Sequence, residues 1–393
     1  MRILHVVASM DPAFGGPPVV ASRLAAAQAG LGHQVAIAFQ DSLGQAAAID
    51  ASLRDIPGID AVAMAPLPAG LRLGMMVPAA TARLLGAGIA AADIVHLHGV
   101  WDRVVWRASI EARRLGVPYI LAPHGMLDPW SLRQRWLKKK IALMLTYRGM
   151  LEQAACLHVL NADEARLLGP LGLRTPRRVL PNGVFPAEIE PLPPKGAFRA
   201  AHPELEDQPF VLFLSRLHYK KGLDYLADAF IIVAANDPAI RLVVAGPDAG
   251  ARADFERRIT STGLRDRVHI VGPLWGRQKI AAYVDAACFC LPSRQEGFSM
   301  AILESLACAT PVVISDACHF PEVAEARAGD VVTLNAKALA EALVGVLTDP
   351  ERRASMGEAG RSLVLSRFTW PAIAQRSIQV FEDVLQGRLQ ATG

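Results

Sequence analysis

Two glutamates eight positions apart, Glu296 and Glu304, and two cations five positions apart, Arg216 and Lys221, are the residues of this chain best suited to chemistry. Glu296 stands in a loop and is followed by Gly297, whose missing Cβ lets the backbone approach a ligand closely. Glu304 falls inside an apolar run of Met300, Ala301, Ile302, Leu303, Leu306 and Ala307, where a carboxylate is costly unless it is paired or meets a ligand. The amide N–H groups of Phe298, Ser299 and Met300 open that run as a helix, roughly Ser299 to Ala309, and its positive dipole end favours an anion, phosphate above all. Arg216 and Lys221 follow the apolar stretch Phe210 to Leu214 and suit a diphosphate, the guanidinium as a fork and the ammonium as a point charge. Carboxylates that accept from hydroxyls, beside a phosphate seat, suit a nucleotide sugar. Two glutamates at this spacing also arise by chance, so spacing alone leaves a structural reading open.

Histidines supply a second constellation. His96-Leu97-His98-Gly99-Val100-Trp101 and Pro123-His124-Gly125-Met126 close two apolar runs, which puts three imidazoles and a tryptophan at strand ends. A histidine in such a place serves either structure or acid–base and hydrogen-bonding chemistry. Trp130 to Gly149 reads as one helix in which Arg133, Arg135, Lys138, Lys139, Lys140 and Arg148 interleave with Trp130, Trp136, Leu143 and Tyr147. Two readings fit it: a solvated helix packed by its aromatics, and a surface for anionic lipid or a lipid-linked acceptor.

The elements that must hold these residues alternate. Short Val/Ile/Leu strands are expected near Ile3 to Ala8, Gln34 to Phe39, Ala61 to Ala65, Ile94 to Leu97, Tyr119 to Ala122, Cys156 to Leu160 and Arg178 to Leu180, with helical stretches between them. Alternation resumes at Phe210 to Leu214, Ile240 to Gly246, Val268 to Gly272, Ala287 to Leu291 and Pro311 to Ile314. The pattern implies an α/β protein of two doubly wound parallel-sheet, Rossmann-like domains facing a cleft, with ligands at the carboxyl ends of the strands. The expected division is 1–183; 184–208, a proline-rich linker; 209–368; and 369–393, a closing helical stretch. No G-x-G-x-x-G follows the first strand; Phe14-Gly15-Gly16-Pro17 offers instead a turn that allows backbone close to a ligand, with Pro17 and Pro18 able to start a helix. Asn161-Ala162-Asp163-Glu164 reads as a capped helix start.

With 393 residues, half of them apolar and a fifth charged, the chain is globular and suits two domains. Its most hydrophobic stretch, Leu71 to Val95, is broken by Arg72, Pro78, Arg83 and Asp93, which argues against a membrane span, and its first residues read as a strand instead of a secretory leader, so a cytoplasmic location is expected. The five cysteines show no paired C-x-x-C spacing and read as buried thiols. Charge divides unevenly: residues 1–183 carry 19 Lys and Arg against 12 Asp and Glu, +7, and the remainder 22 against 25, −3. The first half is therefore expected to meet something negative.

Glu-Gly-Phe-Ser-x4-Glu followed by Ala-x-Ala-Thr-Pro-Val-Val resembles the E-x7-E block of retaining glycosyltransferases of family 4, enzymes of the GT-B architecture. Ser215-Arg216-Leu217-x3-Lys221-Gly222 resembles their Arg/Lys block. The resemblance implies transfer of a hexose from a nucleoside diphosphate sugar, such as GDP-mannose or a UDP-hexose, to a hydroxyl acceptor in polysaccharide or glycolipid assembly. It assigns the ribose to Glu304, donor-sugar hydroxyls to Glu296, the diphosphate to Arg216 and Lys221, proximity to the reacting sugar to His124, and contact with the nucleobase to the backbone at Pro273-Leu274. It likens Gly15-Gly16 to the loop that faces the interdomain cleft and Cys318 to Glu322 to a loop near the donor. It also implies that 1–183 is an acceptor-binding domain, that 209–368 is a nucleotide-sugar-binding domain and that 369–393 returns to the first domain. His96, His98 and Trp101 are candidates for acceptor contact. Front-face attack is implied, the donor phosphate taking the acceptor proton. No Asp-x-Asp stands at a strand end, and no metal or other cofactor is expected. A sugar-nucleotide epimerase of the same architecture, or a protein that binds a sugar nucleotide without turnover, would use the same residues. Nucleic acid is not an expected partner; peripheral contact with the inner face of an anionic membrane is one of the two readings of 130–149.

Overall fold

Apolar runs of four to eight residues are too short for buried helices, and each is followed here by a helix, so parallel pairing follows from the connections. The computed structural model describes residues 1–11, 14–41, 46–69 and 76–389. The chain forms two units, one of Met1–Asn182 with Trp370–Gly393 and one of Gly183–Thr369.

In the first unit, among the described residues, seven strands pair in parallel in the order β3-β2-β1-β4-β5-β6-β7. They are β1 Arg2–Val7, β2 Gln34–Asp41, β3 Val62–Pro68, β4 Ile94–His98, β5 Tyr119–Ala122, β6 Cys156–Val159 and β7 Arg177–Val179. The two faces of this sheet differ in kind. Leu4, Val6, Val95, Leu97, Leu121, Leu157 and Val159 join one apolar core with the helices Ala79–Ala90 and Arg103–Leu115. Period two turns the alternate residues the other way, and register pairs His5 with His96 and Val7 with His98. Cys156 lies level with Ile120, itself level with His96, so His158 shares that face. A row of histidines thus lies under the helices Gly16–Gly30 and Trp370–Leu385, which supply Gln28 and Phe381 against it.

In the second unit six parallel strands run in the order β10-β9-β8-β11-β12-β13 among the described residues. They are β8 Phe210–Leu214, β9 Arg241–Ala245, β10 Val268–Gly272, β11 Cys288–Leu291, β12 Val312–Ser315 and β13 Gly329–Val332. The strand order reverses between β1 and β4 in one sheet and between β8 and β11 in the other, and loops leaving such strands at their carboxyl ends flank a crevice that takes ligands.

Two expectations are corrected. Residues 184–208 are not a free linker: they belong to the second unit and contain the helices Pro186–Ile189 and Ala197–Ala201 and a 3₁₀ turn at Pro203–Leu205. Asp285 holds the second of these helices by accepting from the amides of Gly196, Phe198 and Arg199, a tertiary cap that local composition does not disclose. The stretch 130–149 is not one helix. Pro129–Arg133 ends at an extended Gln134, Arg135 takes a left-handed φ of 54°, and Trp136–Ala142 passes through a wider turn at Leu143–Tyr147 into Arg148–Glu152. Strand β13 was absent from the expectation; with Gly329 and Asp330 at its start it has little strand character, and it forms by pairing with β12.

Candidate active site

Construction of the second unit's site begins with two glycines. A Cβ on Gly222 would lie 1.8 Å from the carbonyl oxygen of Pro292, and one on Gly246 would lie 1.9 Å from that of Ser215, so both positions exclude a side chain. The missing Cβ at Gly246 lets the loop after β9 touch the loop after β8, and that at Gly222 lets the loop after β8 touch the loop after β11. Arg294 then fastens the two: its amide donates to the carbonyl of Lys220 at 2.8 Å, and its guanidinium grips Asp224 while stacking 3.9 Å from the ring centre of Tyr219 and 4.7 Å from that of Tyr225.

Lys221 and Glu296 are thereby brought into contact. Lys221 Nζ lies 2.7 Å from Glu296 Oε1, the side chains being 14% and 8% exposed. Ser293 donates its hydroxyl to the same oxygen, and the amide of Glu296 donates to the carbonyl of Ala317 at 3.0 Å. Burial by itself would raise the carboxyl pKa of Glu296, but Lys221 and Lys220 with the Lys221 and Ser293 hydrogen bonds outweigh it and hold the pKa below the usual value. Arg216 is exposed, and its guanidinium makes no hydrogen bond or ion pair among the described residues, so a fork of donors stands open beside the pair. Neighbouring His218 is depressed in pKa by burial and then by Arg216, Lys220 and Lys221, so the loop presents positive charge without it.

The helix after Glu296 spans Met300–Ala307 with Ser299 as its N-cap. Phe298 packs its ring on Phe320 and Phe368, at 4.8 and 5.8 Å between centres, leaving backbone as what this turn offers. Ile302, Leu303, Leu306 and Ala307 are buried, and Glu304 pairs with Lys279 Nζ at 2.7 Å, with the Tyr283 hydroxyl 3.4 Å from its second oxygen. Glu304 is 17% exposed, so part of the carboxylate is open. Leu274 is buried, and Trp275 after it is exposed.

In the first unit Gly15 takes φ 88° at the N-cap of helix Gly16–Gly30, with proline in its first turn, and a Cβ added to Gly16 would meet nothing within 4 Å. His96 and His98 are fully buried, which withdraws them from direct acceptor contact. They belong to a network: His5 Nδ1 meets His98 Nε2 at 2.9 Å, His98 Nδ1 meets His124 Nε2 at 3.0 Å, and His96 Nε2 meets His158 Nδ1 at 3.0 Å. The carbonyl of Leu180, 2.6 Å from His158 Nε2, can only accept, so His158 is protonated there and His96 donates to its Nδ1. His96 Nδ1 is then a buried acceptor without a partner. Burial leads the causes that push His5 and His158 down to about 4 and His124 down to about 3, and it lowers His96 and His98 too, so the rings are neutral at pH 7. His5, His96 and His98 each bring one ring nitrogen within 4.8 Å of the others, the set among the described residues closest to a metal-binding geometry. The His5–His98 hydrogen bond and the strand register that sets His96 level with His5 account for that proximity.

His124 is half-buried at a left-handed φ of 53°, a conformation that costs a non-glycine residue about 1 kcal/mol or more. Glu164 compensates. Its carboxylate accepts from the amides of Gly125 and Leu160, both at 2.6 Å, while its own amide donates to the Asn161 cap at 2.7 Å. The expected Asn cap is present on helix Ala162–Leu167, and the acid in its first turn holds the turn that carries His124. Trp101 donates Nε1 to the carbonyl of Met126 at 3.3 Å, packs edge-on against Tyr147, and has Lys139 Nζ 5.6 Å from its ring centre.

The expected residues thus gather by unit: Arg216, Lys221, Glu296, Gly297, Phe298, Ser299, Met300 and Glu304 around the ends of β8 and β11, and Gly15, Gly16, His96, His98, Trp101 and His124 around the ends of β1, β4 and β5. Residues not anticipated are Ser293, Lys279 and Tyr283 in one unit and His5, Gln28, His158 and Glu164 in the other. Of these, the alternating His5 on β1 and His158 on β6 carried a readable signal, since polar residues recurred at inward strand positions.

Such a pairing of parallel-sheet units with cation–carboxylate loops at strand ends defines a class, and comparison with known proteins names it. The family model described as "Glycosyl transferase 4-like domain" matches residues 15–183, and that described as "Glycosyl transferases group 1" matches 194–363. The chain belongs to the GT-B glycosyltransferases of the family 4 type. The alpha-maltose-1-phosphate synthase of Mycolicibacterium smegmatis is 28% identical over 317 residues, 75% of this chain and 80% of that protein. A GDP-mannose-dependent monoacylated alpha-(1-6)-phosphatidylinositol monomannoside mannosyltransferase of Corynebacterium glutamicum is 30% identical over 214 residues, 52% of this chain and 55% of that protein. In fold the chain is similar to the Anabaena protein HepE, solved in complex with UDP, at a TM-score of 0.79 and 18% identity, covering 98% of this chain and 100% of that one.

Proposed function

We propose that this glycosyltransferase moves a hexose from a nucleoside diphosphate sugar to a hydroxyl acceptor in glycolipid or polysaccharide assembly, with retention and without a metal. The observation that carries the reading is the Lys221–Glu296 pair beside the open guanidinium of Arg216: cations for a diphosphate, in contact with an acceptor for sugar hydroxyls. Glu304, partly open beside Lys279, accepts from the ribose; Gly297 to Met300 offer amides, and the backbone at Leu274 meets the base. Similarity to a GDP-mannose-dependent enzyme and, in fold, to a protein solved with UDP supports a nucleoside diphosphate sugar. In the step itself the C1–O bond to the diphosphate breaks and a bond from the acceptor oxygen to C1 forms on the same face. The acceptor proton passes to a leaving-phosphate oxygen, and Arg216 and Lys221 stabilise the charge that develops there.

A lipid-linked acceptor is favoured by the segment 130–149. Trp136 is 59% and Leu145 79% exposed, with Leu137, Ile141 and Met144 also exposed among the exposed Arg133, Arg135, Lys138 and Lys140. Tyr147 packs into the core while Trp136 stays exposed, and apolar tips among cations suit an anionic membrane surface, which supports the membrane reading of this segment. No helix among the described residues is long and apolar enough to cross a membrane.

The test is thermal shift and turnover with GDP-, UDP- and ADP-sugars, alone and with lipid-linked or glycan acceptors. Stabilisation by one nucleotide series and product only with an acceptor is the expected result. Conversion of the donor alone into an epimer, or binding without product for any acceptor, would overturn it.

A further inference from the structure

One histidine chain in the first unit has a direction, and its far end sets it. The hydroxyl of Ser377 donates to the carbonyl of Ala374 at 2.7 Å, so towards Gln28 its oxygen accepts, and Gln28 Nε2 donates to it at 2.9 Å. Gln28 therefore turns Oε1 to His5, 2.8 Å from Nε2. An amide oxygen only accepts, which places the His5 proton on Nε2 and leaves Nδ1 to accept from His98 Nε2. His98 Nδ1 in turn accepts from His124 Nε2. The sequence of donors ends at His124 with Nε2 protonated and Nδ1 bare.

We propose that Gln28 and Ser377 are positioning residues, which act through His5 and His98 to hold His124 as its Nε2–H tautomer and present Nδ1 as an acceptor to a hydroxyl of the sugar substrate. The second half rests on the glycosyl-transfer reading; the tautomer does not. Gln28, Ser377, His5 and His98 are all at most 1% exposed, so water does not compete for their hydrogen bonds. Only neutral rings fit the chain, because a second proton on His5 or His98 would set N–H against N–H. The opposite face of the same sheet is filled by Leu and Val, so packing alone does not call for buried amide, hydroxyl and imidazoles here; a polar network is retained at a cost unless all its members are satisfied. Here the chain is satisfied up to His124, whose ring is half-buried and whose Nδ1 has no hydrogen bond among the described residues and is not a buried orphan. A neutral ring with a bare Nδ1 accepts from a hydroxyl and does not protonate the leaving diphosphate, consistent with the proton route above.

The experiment is long-range ¹H–¹⁵N correlation on protein labelled at histidine, with the His124 signals identified by their loss in His124→Asn. The wild type is expected to show His124 as a single tautomer protonated at Nε2, and this reading needs no variant. Gln28→Met, which fills the same space without directing a proton, and the milder Ser377→Ala should both mix the two tautomers. Both should lower kcat by about two- to tenfold, the size of one neutral hydrogen bond, while KM for the donor stays within about twofold. A His124 protonated at Nδ1 in the wild type, an unmixed tautomer in Gln28→Met, or unchanged kcat in both variants would overturn the proposal. Wild-type protein with the expected tautomer that transfers no sugar from any donor would instead defeat the glycosyl-transfer reading and leave the directed chain standing.

Discussion

Glu296→Gln separates the two jobs that the structure gives this residue. The carboxylate holds Lys221 at 2.7 Å in a pair whose members are 8% and 14% exposed, and glutamine keeps its shape and its acceptor oxygen while deleting the charge. A charge-assisted hydrogen bond contributes about 1.5–3 kcal/mol and a neutral one about 1, so the second unit should lose about 0.5–2 kcal/mol. For a unit of this size that is a fall of about 1–8 °C in Tm by differential scanning calorimetry. Complete removal, Glu296→Ala, leaves a largely buried ammonium unpaired and should cost about 3–5 kcal/mol. Binding moves the other way. A diphosphate need no longer share Lys221 with a carboxylate, so calorimetric affinity for the free nucleoside diphosphate should hold or rise by up to about tenfold, or 1.4 kcal/mol. Transfer should fall by about 2- to 30-fold, because the sugar hydroxyls keep a neutral acceptor but lose a charged one. The signs are what matter. Weaker nucleotide binding together with intact transfer would place Glu296 at the nucleotide end and refute the assignment.

Four further outcomes follow from the same structure. Glu304→Ala should weaken the free nucleoside diphosphate by about 10- to 100-fold in calorimetry, the worth of a charge-assisted bond to ribose, and a loss below twofold would sink that role. Activity should survive excess EDTA; loss on chelation, restored by magnesium or manganese, would show that Arg216 and Lys221 do not suffice. Stability should fall as the pH drops below about 6.5, because burial depresses the folded-state pKa values of His5 and His158 to about 4, the unfolded chain then binds more protons, and each such imidazole contributes about 1.4 kcal/mol per pH unit; denaturant unfolding that is unchanged between pH 7 and pH 5 would contradict this. The wild type should sediment with anionic vesicles at low salt and less at physiological salt, since each surface cation adds about 1 kcal/mol, and Lys138, Lys139 and Lys140 changed together to Gln should release it; binding by neither protein would return 130–149 to a solvated face.

Where a signal was local, it could be read before folding. The Asn161 cap, the proline-led helix after Gly15, the strands and the two motif blocks are written within ten residues or so, and their partners lie along the same short stretch of backbone. Segment 130–149 shows the limit even of local reading: its helix formers predict continuity, yet the chain turns at Gln134–Arg135 and exposes Trp136. Residues 184–208 show another, since proline-rich composition indicates a linker while Asp285, 89 positions from Gly196, folds the stretch against the second unit.

Composition and periodicity by themselves determined the class of fold, because helix and strand periods are properties of adjacent peptide units, while motif spacing brought forward Arg216, Lys221, Glu296 and Glu304 as candidates and the family resemblance added His124. Which charge meets which was decided only in three dimensions. Lys221 and Glu296 are 75 positions apart, Lys279 and Glu304 25, His5 and His98 93, and Gln28 and Ser377 349. No local period encodes such pairs: they exist because parallel strands set distant loops side by side, and because burial there makes an unpaired charge or imidazole too costly to leave alone.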